Sequence, residues 1–335
     1  MNVSMWAKAL QVIPRISKGE WNRLDVISRW LIATRSAVLI ITFIPALMAG
    51  ILAFRDGRFN LGLWVVLTIG LIFAHATNNM VNDLTDYVHG VDKNNYFRAQ
   101  YGPQPLEHGL MTMRQVLTYV AATGLIAVVC GLYLVYVRGP LALALMAVGV
   151  FFVLFYTWPL KYIGLGEISV ILVWGPLMVG GGYFVITGHW SWPVALASMI
   201  YALGATTVIF GKHVDKYLDD KAKGIHTVPV LIGERAGRYT VVAMMVLQYL
   251  LTVYLVITGY FSPAMLIVLL ALPTLRQILP MYRQPKPAEM PKQYSADVWP
   301  LWFVAAAFLH NKRFGMLFVL GLLLDAVLHV AGLWV

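Results

Sequence analysis

The chain is built from uninterrupted apolar runs about as long as a bilayer is thick. A hydrocarbon core of roughly 30 Å takes about 20 apolar residues per helix. Windows of that kind fall at 36–54, 61–81, 115–137, 140–157, 167–187, 193–211, 239–259, 262–281 and 314–334, while 298–309 is too short to cross. Lipid offers backbone groups no hydrogen-bond partner, so each run is expected to be a helix and the fold an all-α, polytopic membrane bundle of nine transmembrane helices. With 60% hydrophobic and only 12% charged residues, a soluble enzyme, a secreted disulfide scaffold and a disordered chain are excluded. The single cysteine, Cys130, also rules out an intramolecular disulfide.

Charge sets the expected orientation. The first 35 residues carry Lys8, Arg15, Lys18, Arg23, Arg29 and Arg35 among Trp6, Leu10, Ile13 and Trp21, without a signal-peptide apolar region. They read as a basic segment on the membrane surface, followed by one transmembrane domain over 36–335. If that segment is cytoplasmic, nine spans place 22 of the 25 Lys and Arg inside and only Arg55, Arg58 and Arg138 outside, the bias that positively charged loops show. The net charge of +10 forms no stripe suited to nucleic acid. Its expected neighbours are lipid headgroups and a phosphorylated substrate.

Eight of the 15 acidic residues fall in two segments expected at cytoplasmic helix ends: Asp83, Asp86, Asp92 and Glu107, then Asp215, Asp219, Asp220 and Glu234. An ionised carboxylate at the edge of an apolar helix is costly unless compensated. Asn78, Asn82 and Asp86 recur every four residues, with Asn79 and Asp83 beside them, so one helical face carries the set. Lys212, Asp215 and Asp219 define a similar face in the second segment if the helix continues, with Asp220 turned away. Facing carboxylates repel unless a divalent cation lies between them. Hard oxygen donors select Mg²⁺ or Ca²⁺, and Mg²⁺ commonly shares its shell with substrate phosphates. The expected ligand is a metal-bound diphosphate, with Lys93, Arg98, Lys161, Lys212 and Lys216 neutralising the remaining charge. The plainer reading is a set of solvated loop acids, and for any one of these residues alone it is the stronger.

Four ordered strings resemble a known family. NDLTDYVHGVD, from Asn82 to Asp92, is similar to the first acidic motif of the UbiA superfamily of intramembrane prenyltransferases, in the form carried by 1,4-dihydroxy-2-naphthoate prenyltransferases. GPQPLEHGLMT at 102–112, YTWPLKYIGLGE at 156–167 and GKHVDKYLDDKAKGIHT at 211–227 resemble its loop, its four-to-five connection and its second acidic motif, and IGER at 232–235 continues the last. The resemblance covers roughly residues 30–275. It implies nine helices bundled around a central cavity, Mg²⁺ as cofactor, and transfer of a prenyl or polyprenyl group from its diphosphate to an aromatic acceptor. In the naphthoate branch that reaction belongs to menaquinone biosynthesis, in a bacterial cytoplasmic membrane with the site facing the cytoplasm.

Carried over by position, Asp83, Asp86, Asp92, Asp215, Asp219 and Asp220 are the metal candidates, and Asn82, Arg35, Arg98, Lys212 and Lys93 the diphosphate contacts. Asp86, Asp215, Lys161 and Tyr156 are the catalytic candidates, Lys161 by diphosphate contact and Tyr156 by shielding an allylic cation. Arg35 reads equally well as a plain cytoplasmic anchor. The sequence departs from the pattern in three places. Gly224 selects Asp220 and Lys216 at the family's four-residue steps, whereas Asp215 and Asp219 keep the step but miss the Gly by one. Either the helix takes an extra residue or the pair is Asp215 and Asp220. Gln104 stands where relatives often have a basic residue, which shifts that task to Arg98, and His89 replaces a frequent Lys, which leaves another acceptor open. Competing readings are a terpene cyclase on the same scaffold and, from another class, a secondary transporter. The latter calls for inverted repeats, and no convincing repeat is found.

Overall fold

The computed structural model describes residues 2–90, 102–292, 294 and 298–334. Every regular element among them is helical. Three short helices, α1 (Val3–Gln11), α2 (Lys18–Asn22) and α3 (Val26–Ala33), precede α4 (Ile40–Arg55), α5 (Leu61–Val88), α6 (Met113–Arg138) and α7 (Pro140–Phe155). Then come α8 (Gly166–Thr187), α9 (Trp192–Asp215), the one- to two-turn α10 (Tyr217–Ala222) and α11 (Val228–Ile232), α12 (Glu234–Ile257), α13 (Pro263–Arg283) and α14 (Phe303–Val330). Among the described residues eight helices are long and apolar enough to cross a membrane, and α7, with 16 residues, is a shorter apolar helix. The protein is therefore an integral membrane protein with the all-α fold read from its hydropathy.

The chain divides into two compact units, residues 1–44 with 65–159, and residues 45–64 with 160–335. In the first, α1 to α3 fold onto protein as well as carrying charge. Trp21, Leu24, Leu31 and Ile32 are buried with Leu110, Met111 and Val116. Ser17 and Glu20 form a capping box on α2. Asp25 caps α3 and also accepts the Asn2 amide at 2.7 Å and the Trp6 indole N–H at 3.1 Å, so one carboxylate ties α1 to α3. These donors, the Ser28 amide foremost, hold the Asp25 carboxyl well below the ordinary carboxylate range. Lys18 Nζ donates to the carbonyls of Gly109 and Leu110. Asparagines in α5 join helices: Asn78 donates to the Val153 carbonyl at 2.9 Å and Asn79 to the Thr34 carbonyl at 2.8 Å.

In the second unit α9 packs against α8, α12 and α14. Gly211 permits a close approach of the α14 backbone, since a Cβ there would meet the Phe303 carbonyl oxygen at 3.0 Å. Helix α8 contains a π-helical stretch, Val173–Gly180, where Pro176 cannot donate and Gly175 leaves helical geometry at φ −99°, ψ −106°. Asp325, fully buried in α14, accepts the Ser262 amide at 2.6 Å and lies 3.4 Å from Arg55 Nη1. Arg55 also donates to Asp56 at 2.8 Å and to the Tyr260 carbonyl at 3.2 Å, and its guanidinium lies 4.4 Å from the Tyr260 ring centre. Tyr183 donates its hydroxyl to the second Asp56 oxygen at 2.7 Å. The acid in the last span is thus an interhelical anchor.

Two boundaries differ from the hydropathy reading. The last helix begins at Phe303, eleven residues before the expected 314. The polar run His310–Arg313 lowers the windowed hydropathy, yet His310 is buried and shares a 2.9 Å hydrogen bond with the Tyr249 hydroxyl. The second acidic segment is also not one helix. α9 ends at Asp215, Lys216 leaves helical geometry at φ −99°, ψ 11°, and α10 restarts at Tyr217. Lys212, Asp215 and Asp219 therefore do not share a continuous face, and the extra residue before Gly224 is taken up at this break.

Candidate active site

In the first unit α5 runs without interruption to Val88, so Asn82, Asp83 and Asp86 stand on one continuous helix, as their spacing requires. Asp83 and Asp86 are both buried. Arg35 is the one described non-glycine residue at positive φ, 55°, a left-handed conformation that costs energy for any residue with a Cβ and persists only where surroundings fix it. From there Nη2 donates to Asp83 Oδ1 at 2.9 Å and to the Asn79 carbonyl at 2.9 Å. Arg35 is thus paired with a carboxylate of the first acidic segment. Asn82 donates to the Thr157 hydroxyl at 2.9 Å, which links this helix end to the turn after α7. Tyr156, half-buried, caps α7 beside that threonine. A small cleft next to Asp83 is lined by Ala33, Met80, Pro105, Leu106 and Met111, so the 102–112 loop forms part of its wall. Asp92, Lys93 and Arg98 lie outside the described residues.

In the second unit Lys161 stands in the tight turn Leu160–Ile163, its Nζ 5.5 Å from the Tyr162 ring centre. Gly166 makes that turn possible, because a Cβ there would lie 3.3 Å from the Lys161 backbone. The turn is tied down by Glu167, which shares a 2.7 Å hydrogen bond with His213 and accepts the Val228 amide at 3.2 Å. Lys212, half-buried, lies one residue earlier on α9.

The three acids of the second segment have three different environments. Asp215 accepts the backbone N–H of Trp302, Phe303 and Val304, each at 3.0 Å, with Lys286 Nζ 3.9 Å away. Asp219 is exposed. Asp220 is 2% exposed; its Oδ1 accepts from Lys216 at 2.9 Å, and its buried Oδ2 has no hydrogen-bond partner among the described residues. Lys286 is the residue the sequence analysis missed. It lies 71 positions beyond Asp215 in a Pro-rich connection, with its Nζ 5.3 Å from the Trp299 ring centre. Burial lowers its pKa, and the nearby Asp215 and Asp219 work against that.

A hard divalent cation fits this donor set. All the candidate ligands are oxygens, and a buried carboxylate oxygen without a hydrogen-bond partner among the described residues, Asp220 Oδ2, is the kind of group a cation satisfies. Among the described residues no three His, Cys, Asp or Glu side chains gather at one point. Mg²⁺ is usually held by one or two carboxylates together with substrate phosphates.

These features define a polytopic helical membrane protein with acid-rich segments at the ends of two long helices. The chain belongs to the UbiA prenyltransferase family, whose profile matches residues 42–304, and it is a prenyltransferase. The 1,4-dihydroxy-2-naphthoate octaprenyltransferase of Bacillus subtilis (strain 168) is 24% identical over 298 residues, covering 87% of this chain and 91% of the relative. Among solved structures, an apo UbiA homologue from Aeropyrum pernix K1 aligns with TM-score 0.63 at 16% identity, covering 85% of this chain and 97% of that one. A UbiA homologue from Archaeoglobus fulgidus, bound to GPP and Mg²⁺, aligns with TM-score 0.53 at 14% identity, covering 87% and 99%.

Proposed function

We propose that the protein transfers a polyprenyl group from its diphosphate to 1,4-dihydroxy-2-naphthoate, in a Mg²⁺-dependent step of menaquinone biosynthesis at the cytoplasmic face of a bacterial membrane. The observation that carries this reading is the end of α5, where Asn82, Asp83 and Asp86 stand on one helix with Arg35 bonded to Asp83. The nearly full-length similarity to the Bacillus naphthoate enzyme supports the choice of acceptor. The Mg²⁺ in the Archaeoglobus homologue's complex supports the choice of metal.

In the proposed reaction the bond between C1 of the prenyl chain and the diphosphate oxygen breaks, and pyrophosphate leaves with the electron pair. The ring carbon that carries the carboxylate attacks C1. Loss of that carboxylate as CO₂ restores the aromatic ring, so carbon substitution needs no separate base. Bound Mg²⁺ would neutralise charge on the departing pyrophosphate. On the protein side, Asp86, Asp83 and Asp92 of the first acidic segment and Asp220 and Asp219 of the second are the candidates to hold the cation. Asn82, Arg35, Lys93, Arg98, Lys161 and Lys212 orient and neutralise the diphosphate, and Tyr156 shields the allylic cation from water.

The test is direct. Purified protein is incubated with radiolabelled prenyl diphosphate, dihydroxynaphthoate and Mg²⁺, with and without EDTA. Label should move to the naphthoate product only where Mg²⁺ is free. Transfer to a different aromatic acceptor but not to dihydroxynaphthoate would overturn the acceptor, and undiminished transfer in EDTA would overturn the metal.

A further inference from the structure

A helix leaves its first backbone N–H groups without intrahelical partners, and a side chain near the start normally satisfies one or two of them. Helix α14 has no such side chain of its own: its N-cap position is Trp302, which makes no cap hydrogen bond. The missing acceptor comes from another helix. Both oxygens of Asp215, at the last position of α9, are engaged, Oδ2 by the amides of Trp302 and Val304 and Oδ1 by that of Phe303, each at 3.0 Å. The carboxylate also meets the positive end of the α14 dipole. The joint is shaped on both sides. Gly211, one turn earlier on α9, leaves room for the Phe303 carbonyl, and that carbonyl accepts the Tyr282 hydroxyl at 2.8 Å.

A carboxylate that already receives three amide hydrogens has little acceptor capacity left for a cation. Its neighbour Asp220 is in the opposite condition, with one buried oxygen on Lys216 and the other without a hydrogen-bond partner among the described residues.

We infer that the acids of the second segment divide their labour: Asp215 is a positioning residue that caps α14 in trans and seats it against α9, while Asp220 is the carboxylate that receives the divalent cation. The inference rests on the Mg²⁺-dependent reading above for its cation, but not for the cap. It also accounts for the displaced spacing before Gly224. The break at Lys216 lets Asp215 face the last helix while Asp220 keeps its four-residue distance from the glycine.

Asp215→Asn and Asp220→Asn are compared by thermal unfolding in detergent and by the Mg²⁺ concentration giving half-maximal turnover. Asn at 215 keeps an acceptor for two of the three amides but turns its NH₂ toward the third. Asp215→Asn should therefore lower Tm by roughly 3 °C or more and move the Mg²⁺ midpoint less than about threefold. Asp220→Asn should lower Tm less than Asp215→Asn does, since it weakens the single contact to Lys216 rather than a three-amide cap, and should move the midpoint at least about tenfold. An Asp215→Asn protein with wild-type Tm, or one whose Mg²⁺ midpoint shifts tenfold, would overturn the inference. If Asp215→Asn cannot be recovered folded, Asp220→Asn decides, and an unmoved midpoint there overturns it. Wild-type protein without turnover on any prenyl diphosphate would instead sink the prenyltransfer reading, and the Tm comparison would still decide the cap.

Discussion

Replacing Asp325 with alanine removes the centre of the polar joint between α4, α13 and α14. Three contacts are lost from a fully buried carboxylate: the acceptor for the Ser262 amide at 2.6 Å, a charge partner for Arg55 at 3.4 Å and a longer approach to His329 Nδ1 at 3.7 Å. Breaking a buried ion pair from one side costs about 3–5 kcal/mol, because the other charge is left uncompensated. Here the lower end applies or less, since Arg55 keeps Asp56 at 2.8 Å and its position over the Tyr260 ring. Leaving the Ser262 amide unsatisfied adds about 1–3 kcal/mol. Taken together these give about 3–5 kcal/mol for Asp325→Ala, and about 1–2 kcal/mol for Asp325→Asn, which retains an acceptor. At about 2 °C per kcal/mol for a chain of this size, Tm should fall by about 6–10 °C and about 2–4 °C respectively. Thermal unfolding in detergent, followed by intrinsic tryptophan fluorescence, measures both. Equal losses in the two variants would show that the acceptor for Ser262 contributes nothing, and a loss under about 1 °C in both would refute the joint.

Other perturbations test other parts of the structure. Lys18→Met should free the Gly109 and Leu110 carbonyls, giving faster trypsin cleavage after Arg114 with little change in global Tm; unchanged cleavage would mean the loop is held by its apolar contacts alone. Because the folded-state pKa of Asp25 is depressed, its contribution is complete well above the ordinary carboxylate value near 3.8 and is lost progressively as pH falls from there through the lower folded-state value. Part of the Tm loss between pH 5 and pH 3 (about one unit either side of that value) should therefore be absent in Asp25→Ala. Gly211→Val should force α9 away from the Phe303 backbone and cost about 1–3 kcal/mol, seen as a lower Tm; a neutral result would show that the approach is not tight. Arg35→Ala should weaken prenyl diphosphate binding, whereas an ordinary lipid anchor would leave KM unchanged.

The apolar helices among the described residues are legible in the sequence because lipid imposes length and composition on every span, and that constraint is local. The face formed by Asn82, Asp83 and Asp86 was legible for a similar reason, since α5 continues through them without a break. What could not be read was the use of each charge. A carboxylate at a helix end looks the same in a one-dimensional pattern whether it faces a cation, an arginine or another helix's amides. Asp83 turned out to have Arg35 as partner, 48 residues away, and Asp215 the start of a helix 87 residues away. The break at Lys216 was hidden too, because its residues have ordinary helical propensity. Lys286 gave no local signal at all: a lone lysine in a Pro-rich connection becomes notable only once that connection is folded back on Asp215.

Prenyl diphosphate binding is proposed to depend on Mg²⁺ and on Asp86 of the first acidic segment. It is tested most directly by titrating a non-hydrolysable prenyl thiolodiphosphate into the purified protein by calorimetry, with Mg²⁺ and with EDTA, for wild type and Asp86→Asn. The account predicts saturable binding to wild type in Mg²⁺, and its loss both in EDTA and in Asp86→Asn protein of unchanged Tm. Equal affinity in all of these conditions would contradict it.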